Sequence, residues 1–165
     1  MFKLFQSKSL TNDNGSRIDP STRLRRAIHL NAPLLVKRLI RNNPQLIQNP
    51  EFADKSNTSL HLAALLGFTS IAEILIRAGH EDGEISRNAD HDTPLILAAK
   101  NGHVDVGKLL IREFPRSIQF VNRNGLDALG LASMNAGATG IIPLLLNPES
   151  AGVEDGEEFA ASVDV

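Results

Sequence analysis

The chain has 165 residues, enough for one ordinary hydrophobic core. Apolar residues make up 42% of it and charged residues 22%, and its formal net charge is −2, so the composition favours a soluble globular protein over a disordered one. The absence of cysteine excludes disulfides and thiolate metal ligands, and the absence of Trp and Tyr leaves little for stacking on nucleic-acid bases.

Residues 1–20 are expected to form a flexible N-terminal segment. Phe2, Leu4 and Phe5 stand among lysines, but the apolar core of a secretion signal is missing. No apolar run in the chain approaches the ~18–20 residues that span a bilayer. Together with the lack of cysteine, this favours a cytoplasmic protein.

A repeated motif organises residues 21–146. Its clearest copies begin at Thr58, Thr93 and Asp127, and a fainter copy lies around residue 24. Equivalent leucines are spaced 36, 35 and 34 residues apart, and are Leu24, Leu60, Leu95 and Leu129. This spacing divides the segment into four repeats, at residues 21–52, 53–87, 88–121 and 122–146.

Each copy has the local signals of a helix–turn–helix unit. Thr58 and Thr93 stand where a hydroxyl caps a helix, and Pro94 follows at the first helical position. Gly67 and Gly102 stand where that helix ends. A second helix is predicted from apolar residues at helical spacing, and Pro143 is expected to interrupt it in the last repeat. Because a lone helix pair cannot bury its apolar face, the fold class predicted is an all-α solenoid of about four stacked repeats.

The motif resembles the ankyrin-repeat family. The run from Thr58 to Ala64, followed by Gly67, is similar to the family's signature, and His61 holds the signature histidine position. Residues 21–28 and 35–44 further resemble the first repeat of the fungal ankyrin-repeat accessory subunits of target-of-rapamycin complex two, as do 78–81, 113–116 and 132–135. This resemblance implies a non-catalytic scaffold or adaptor in a membrane-associated kinase assembly, with subunits of that complex as protein partners.

The same resemblance indicates where a partner would bind. In ankyrin stacks, residues that precede the glycine of the first helix, together with the hairpin tips between repeats, face a concave groove. The corresponding candidates are Leu30, Leu65, Leu66, Lys100, Asn101 and Met134 on the helices, and Asp90, Asp92 and Arg123 at the tips. The apolar members are expected to form a contiguous strip for a protein partner. The alternative is that loops or the N-terminal segment cover Leu65 and Leu66.

Signals of other functions are weak. Residues 102–108 have the spacing of a phosphate-binding loop, but Leu109 replaces the required hydroxyl residue, so Gly102 is interpreted as a turn glycine and Val106 as core. His80 and two other histidines are isolated, and no catalytic constellation is recognisable. The sequence therefore predicts no enzyme, no cofactor and no metal site.

Charge is unevenly distributed along the chain. Residues 1–50 hold nine Lys or Arg and two Asp, whereas 147–165 hold six acidic and no basic residues. The basic first repeat is interpreted as a solvated face, a contact for an acidic protein or a peripheral contact with anionic lipid, but not as a nucleic-acid site, because the middle of the chain is acidic. Residues 147–165 are expected to form a disordered acidic tail. That tail supports an alternative function, a regulatory inhibitor or assembly chaperone that shields a basic client.

Overall fold

The computed structural model describes residues 18–47 and 50–152, with only the backbone of Phe52. Over these ranges the chain forms helices and no strand, apart from a single antiparallel bridge between Glu51 and Asn57. The helices are α1 Pro20–His29, α2 Pro33–Asn42, α3 Ser59–Leu66, α4 Thr69–Arg77, α5 Pro94–Asn101, α6 Val104–Glu113, α7 Ala128–Met134 and α8 Ile142–Leu146. Short 3-10 segments follow several of them.

The first helix of each repeat begins at a side-chain cap. Asp19 accepts hydrogen bonds from two backbone N–H groups at the start of α1, and Thr58, Thr93 and Asp127 each accept from the amide three residues later. Pro94 occupies the first position of α5, where its missing N–H leaves nothing unpaired. The predicted capping positions of α3 and α5 are therefore confirmed.

The eight helices stack in two layers. The first helices α1, α3, α5 and α7 pack in order on one another, and the second helices α2, α4, α6 and α8 form the other layer. Leu24, Leu60 and Leu95 are buried between the layers. Leu129, the equivalent residue in α7, is half-buried because no further first helix packs on α7 within the described residues. The predicted all-α repeat solenoid is confirmed.

Two glycines permit close approach between repeats. Gly67 ends α3 at φ 75°, and a Cβ there would lie 2.5 Å from Nδ1 of His103, whose Nε2 is 2.9 Å from the carbonyl oxygen of Leu65. A Cβ at Gly107, inside α6, would lie 2.2 Å from Cδ1 of Ile141. Val106 is also buried in α6. The residues with phosphate-loop spacing therefore form the start of a packed helix, in agreement with the interpretation of Val106 as a core residue.

The last repeat departs from the expectations in two places. Pro143 does not interrupt a helix, because α8 begins only at Ile142 and the chain before it forms a 3-10 segment, Ala136–Ile141. Part of the predicted disordered tail also forms regular structure. Residues Pro148–Gly152 form a 3-10 segment that packs on α6 and α8 and buries Ala151. The remainder of that predicted tail, 153–165, and residues 1–17 of the predicted N-terminal segment lie outside the described residues.

Candidate functional site

A ladder of asparagine and aspartate side chains connects the hairpins between repeats. Nδ2 of Asn88 donates to Oδ1 of Asn57 at 2.9 Å, and Nδ2 of Asn122 donates in the same way to Asp92 at 3.0 Å. The two donors are 34 residues apart and the two acceptors 35, so one contact recurs in successive repeats. Oδ1 of each donor residue also accepts from two backbone N–H groups of its own hairpin. The ladder holds neighbouring tips in register.

Histidine and arginine perform one task in successive first helices. Nε2 of His61 is 2.9 Å from the carbonyl oxygen of Asp92, and Nδ1 is 2.8 Å from Oγ1 of Thr58. In the first repeat, Arg25 occupies the equivalent position, and its Nη1 donates to the carbonyl oxygen of Asn57 at 3.0 Å. Both side chains reach forward to the next hairpin. Burial lowers the pKa of His61 to about 4, although the hydrogen bond to Asp92 opposes that shift.

The hairpin tips carry charged side chains that pair along the stack. Nζ of Lys55 lies 2.8 Å from the carboxylate of Asp90, and this hydrogen bond lowers the pKa of Asp90 and raises that of Lys55. Nη2 of Arg123 donates to the carbonyl oxygen of Ala89 at 2.6 Å. Asp90 and Arg123 thus remain at the surface, as predicted. Asp92 does not, because it is only 4% exposed and holds Asn122, so it supports the tips from inside.

The C-terminal ends of the first helices present the other predicted residues. We call this surface the first-helix face, formed by Leu30, Leu65, Leu66, Lys100, Asn101 and Met134. Leu30 is 67% and Met134 74% exposed, whereas Leu65 and Leu66 are half-buried and pack against the core. Lys100 and Asn101 are exposed at the end of α5. The exposed polar side chains of Lys100 and Asn101 thus form a polar step on α5 between the leucines of α1 and α3 and Met134 of α7.

The polar step at α5 also ties the last repeat to the third. Nδ2 of Asn135 donates to the carbonyl oxygen of Lys100 at 2.7 Å, and Nδ2 of Asn101 donates to the carbonyl oxygen of Leu97 at 2.7 Å. The side chain of Lys100 is directed to solvent. A partner lying along this face would meet a leucine, then an ammonium group, then a methionine.

A buried carboxylate, that of Glu81, lies in the loop after α4, and the sequence did not predict it. Nδ1 of His80 lies 2.9 Å from Oε1 of Glu81, and both residues are buried in the loop after α4. The Glu81 carboxylate also accepts from the N–H and the hydroxyl of Ser86. Burial raises the pKa of Glu81, but the adjacent His80 ring and the hydrogen bonds from Ser86 outweigh it and leave the pKa lowered. His80 is therefore not isolated. Only the adjacency of His and Glu in the sequence could have suggested the pair.

Glu81 borders an open groove on this side of the molecule. The groove has a volume of about 1430 Å³ and lies between the loops that follow α4 and α6, where Arg87 stacks over the ring of Phe120 at 4.5 Å. Across residues 18–47 and 50–152, no three His, Asp or Glu side chains come together as a metal site requires. None of the helices in that part of the chain is long and apolar enough to cross a bilayer.

Comparisons with known proteins agree with this geometry. Residues 24–119 and 60–155 match the family model described as ankyrin repeats, three copies. The chain is 38% identical over 117 residues to the target of rapamycin complex 2 subunit AVO2 of Saccharomyces cerevisiae, which covers 71% of this chain and 27% of the subunit. It is 27% identical over 99 residues to the glycerophosphocholine phosphodiesterase GDE1 of Candida albicans, which covers 60% of this chain and 8% of that protein.

The chain thus spans about a quarter of the yeast subunit and less than a tenth of the phosphodiesterase. Stacked helix pairs, hairpins tied in register and a face of exposed side chains are the construction that repeat proteins use to bind other proteins. With the family model matched over most of its length, this chain belongs to the ankyrin-repeat family.

Proposed function

We propose that this chain is a non-catalytic adaptor that binds a protein partner through its first-helix face, as an accessory subunit of a target-of-rapamycin complex 2 assembly. The assembly is proposed from the similarity to the yeast subunit, which covers 71% of this chain. The surface is proposed from one observation: Leu30 and Met134 are large apolar side chains left exposed at the C-terminal ends of α1 and α7, the first and last helices of that layer. Exposed apolar side chains supply area that a protein partner can remove from water.

The tips complete the proposed surface. Asp90 and Arg123 stay exposed while their backbone is fixed by contacts to neighbouring hairpins. A pre-ordered surface loses little side-chain and loop freedom on binding, which favours affinity. The alternative, a regulatory inhibitor or assembly chaperone that shields a basic client, depends on the acidic tail predicted at 147–165. Residues 153–165 of that tail lie outside the described residues, and no described contact favours this alternative.

Substitutions at the two exposed anchors test the surface. Leu30→Asp combined with Met134→Asp should weaken capture of the partner by about 30-fold, which corresponds to a combined loss of about 2 kcal/mol for the two side chains. The melting midpoint should hardly change, because both side chains are exposed. Leu146→Asp is the matched control, since Leu146 is also 67% exposed but lies on α8 in the other layer. Leu65 and Leu66 are unsuitable, because they pack against the core.

The experiment is quantitative mass spectrometry of proteins captured from the native cells by the tagged chain and its two variants. Recovery of target-of-rapamycin complex 2 subunits by the original chain and the Leu146→Asp variant, but not by the double variant, is the expected result. If the original chain recovers none of those subunits, membership in that assembly is wrong. If the double variant recovers them equally well, the first-helix face is wrong. If the original chain captures its partner at low salt but not at high salt, the chaperone alternative is favoured.

A further inference from the structure

The solvent side of α2 is a basic surface around an exposed leucine. Leu34 is 83% exposed, and Lys37, Arg38 and Arg41 surround it on successive turns. These four residues, which we call the α2 basic face, line an open depression of about 520 Å³ together with Leu35. Within the described residues none of the three cations forms an ion pair. The face combines uncompensated charge with apolar area, so it fits an acidic segment that carries an apolar side chain.

The chain itself contains such a segment. Residues 18–47 hold six Lys or Arg and one Asp, which gives +5, and residues 153–165 hold five Asp or Glu and no basic residue, which gives −5. The acidic segment also contains Phe159 between its glutamates and its last aspartate. Its composition therefore complements the α2 basic face in charge and supplies an aromatic ring for Leu34.

The end of the described chain puts this segment within reach. Pro148–Gly152 packs on α6 and α8, in the layer that also contains α4 and α2. Neighbouring packed helices lie about 8–10 Å apart, so the path from Gly152 to α2 is about 20–30 Å. Residues 153–165 can extend to about 43 Å at ~3.3 Å per residue. The segment can therefore cross α6 and α4 and still have residues left to contact α2.

We propose that residues 158–164, the part of the segment that can lie beyond a crossing of about 20 Å at ~3.3 Å per residue, dock on the α2 basic face of the same molecule. The carboxylates of Glu158 and Asp164 then lie against Lys37, Arg38 and Arg41, and the ring of Phe159 lies against Leu34. Tethering favours the contact, because a short linker gives an effective concentration in the millimolar range. An anionic membrane fits less well. The three cations fall short of the usual cluster of about 4–8, and the five acidic groups of the same chain would repel the lipid.

A spin label on the segment tests this directly. The chain contains no cysteine, so Ser162→Cys provides a single attachment site in the full-length protein. Amide signals of residues 34–41 should lose intensity by paramagnetic broadening, whereas those of α5 and α7, in the other layer, should keep it. The loss should be relieved when salt is raised to about 1 M, where the Debye length falls to about 3 Å.

Charge reversal supplies the matched control. Lys37→Glu, Arg38→Glu and Arg41→Glu together should abolish the broadening at α2. The same number of reversals elsewhere, at the exposed residues Arg77, Lys100 and Arg116, should leave it intact. The proposal fails if α2 is not broadened, or if both triple variants relieve it equally.

Two further results would also overturn the proposal by assigning the face to another occupant. Broadening that appears only between labelled and isotope-enriched molecules in a mixture would identify a second copy of the chain. Binding to phosphatidylserine vesicles through the α2 basic face, with no broadening of α2 by the label, would identify a membrane. Neither result bears on the adaptor function, which depends on the first-helix face.

Discussion

Acidification should destabilise this protein through His61. The ring is fully buried, and the backbone N–H of Thr58 donates to Nδ1 at 3.3 Å while Nε2 faces the carbonyl oxygen of Asp92. Only the neutral ring with its proton on Nε2 satisfies both contacts. A proton added to Nδ1 would place two N–H donors against each other in a buried site.

The size of the effect follows from the pKa of His61, which burial lowers from 6.5 to about 4. Between these values the unfolded chain binds a proton that the folded chain does not, so the free energy of unfolding falls as the pH falls. At pH 5 the loss relative to neutral pH is about 2 kcal/mol, and below pH 4 it approaches about 3 kcal/mol.

Urea unfolding followed by circular dichroism at pH 7.5, 6 and 5 measures this loss. His61→Gln should be less stable than the original chain at pH 7.5 by about 1–3 kcal/mol, because it leaves buried groups without partners, but its stability should depend less on pH. His29→Gln, at an exposed position of α1, is the control and should keep the original pH dependence. Equal losses of stability between pH 7.5 and 5 in the original chain and in His61→Gln would refute the reasoning.

Two further substitutions test other contacts. Gly67→Ala should lower the free energy of unfolding by about 2–3 kcal/mol, because the backbone of Gly67 is left-handed and the new Cβ would overlap the ring of His103. Gly83→Ala is the control and should stay within about 0.5 kcal/mol of the original chain, because a Cβ at Gly83 would lie in open space. Equal melting midpoints of the two variants would contradict this prediction. Glu81→Gln should lower the free energy of unfolding by about 1–3 kcal/mol at pH 7, because the amide cannot accept both hydrogen bonds from Ser86. The stability difference between the variant and the original chain should shrink below pH 4.5, where the carboxylate of the original chain becomes protonated. Chemical denaturation at pH 7 and pH 3 measures this difference, and an equal difference at both pH values would contradict the prediction.

Features set by neighbours in the sequence were predictable. Thr58 caps α3 and Gly67 ends it because a hydroxyl and a missing Cβ act within one turn of chain. The spacing of leucines then required stacked pairs, since each pair alone cannot bury its apolar face. The solenoid and its two layers follow from such local rules.

Features set by contacts between repeats were not predictable in the same way. Asp92 has the sequence context of an exposed hairpin tip, but Asn122 of the next repeat encloses it. Leu65 and Leu66 have the position of surface residues, yet they pack against the core. Whether such side chains are exposed depends on how closely adjacent repeats approach, which the motif itself does not state. The proposed binding surface is therefore narrower than the sequence predicted, and Leu30 and Met134 are its exposed apolar side chains.

The ladder of asparagine and aspartate side chains between hairpins determines the length of insertion or deletion that this chain can tolerate. Its acceptors, Asn57 and Asp92, are 35 residues apart, so excising residues 58–92 would place Asn57 where Asp92 stood, facing Asn122. A cut even a few residues shorter would bring the wrong side chain opposite Asn122 and strand an amide in a partly buried site. Insertions or deletions of one whole repeat should therefore preserve the fold. Insertions or deletions of part of a repeat should break the hydrogen bonds between hairpins even where the apolar core could still pack.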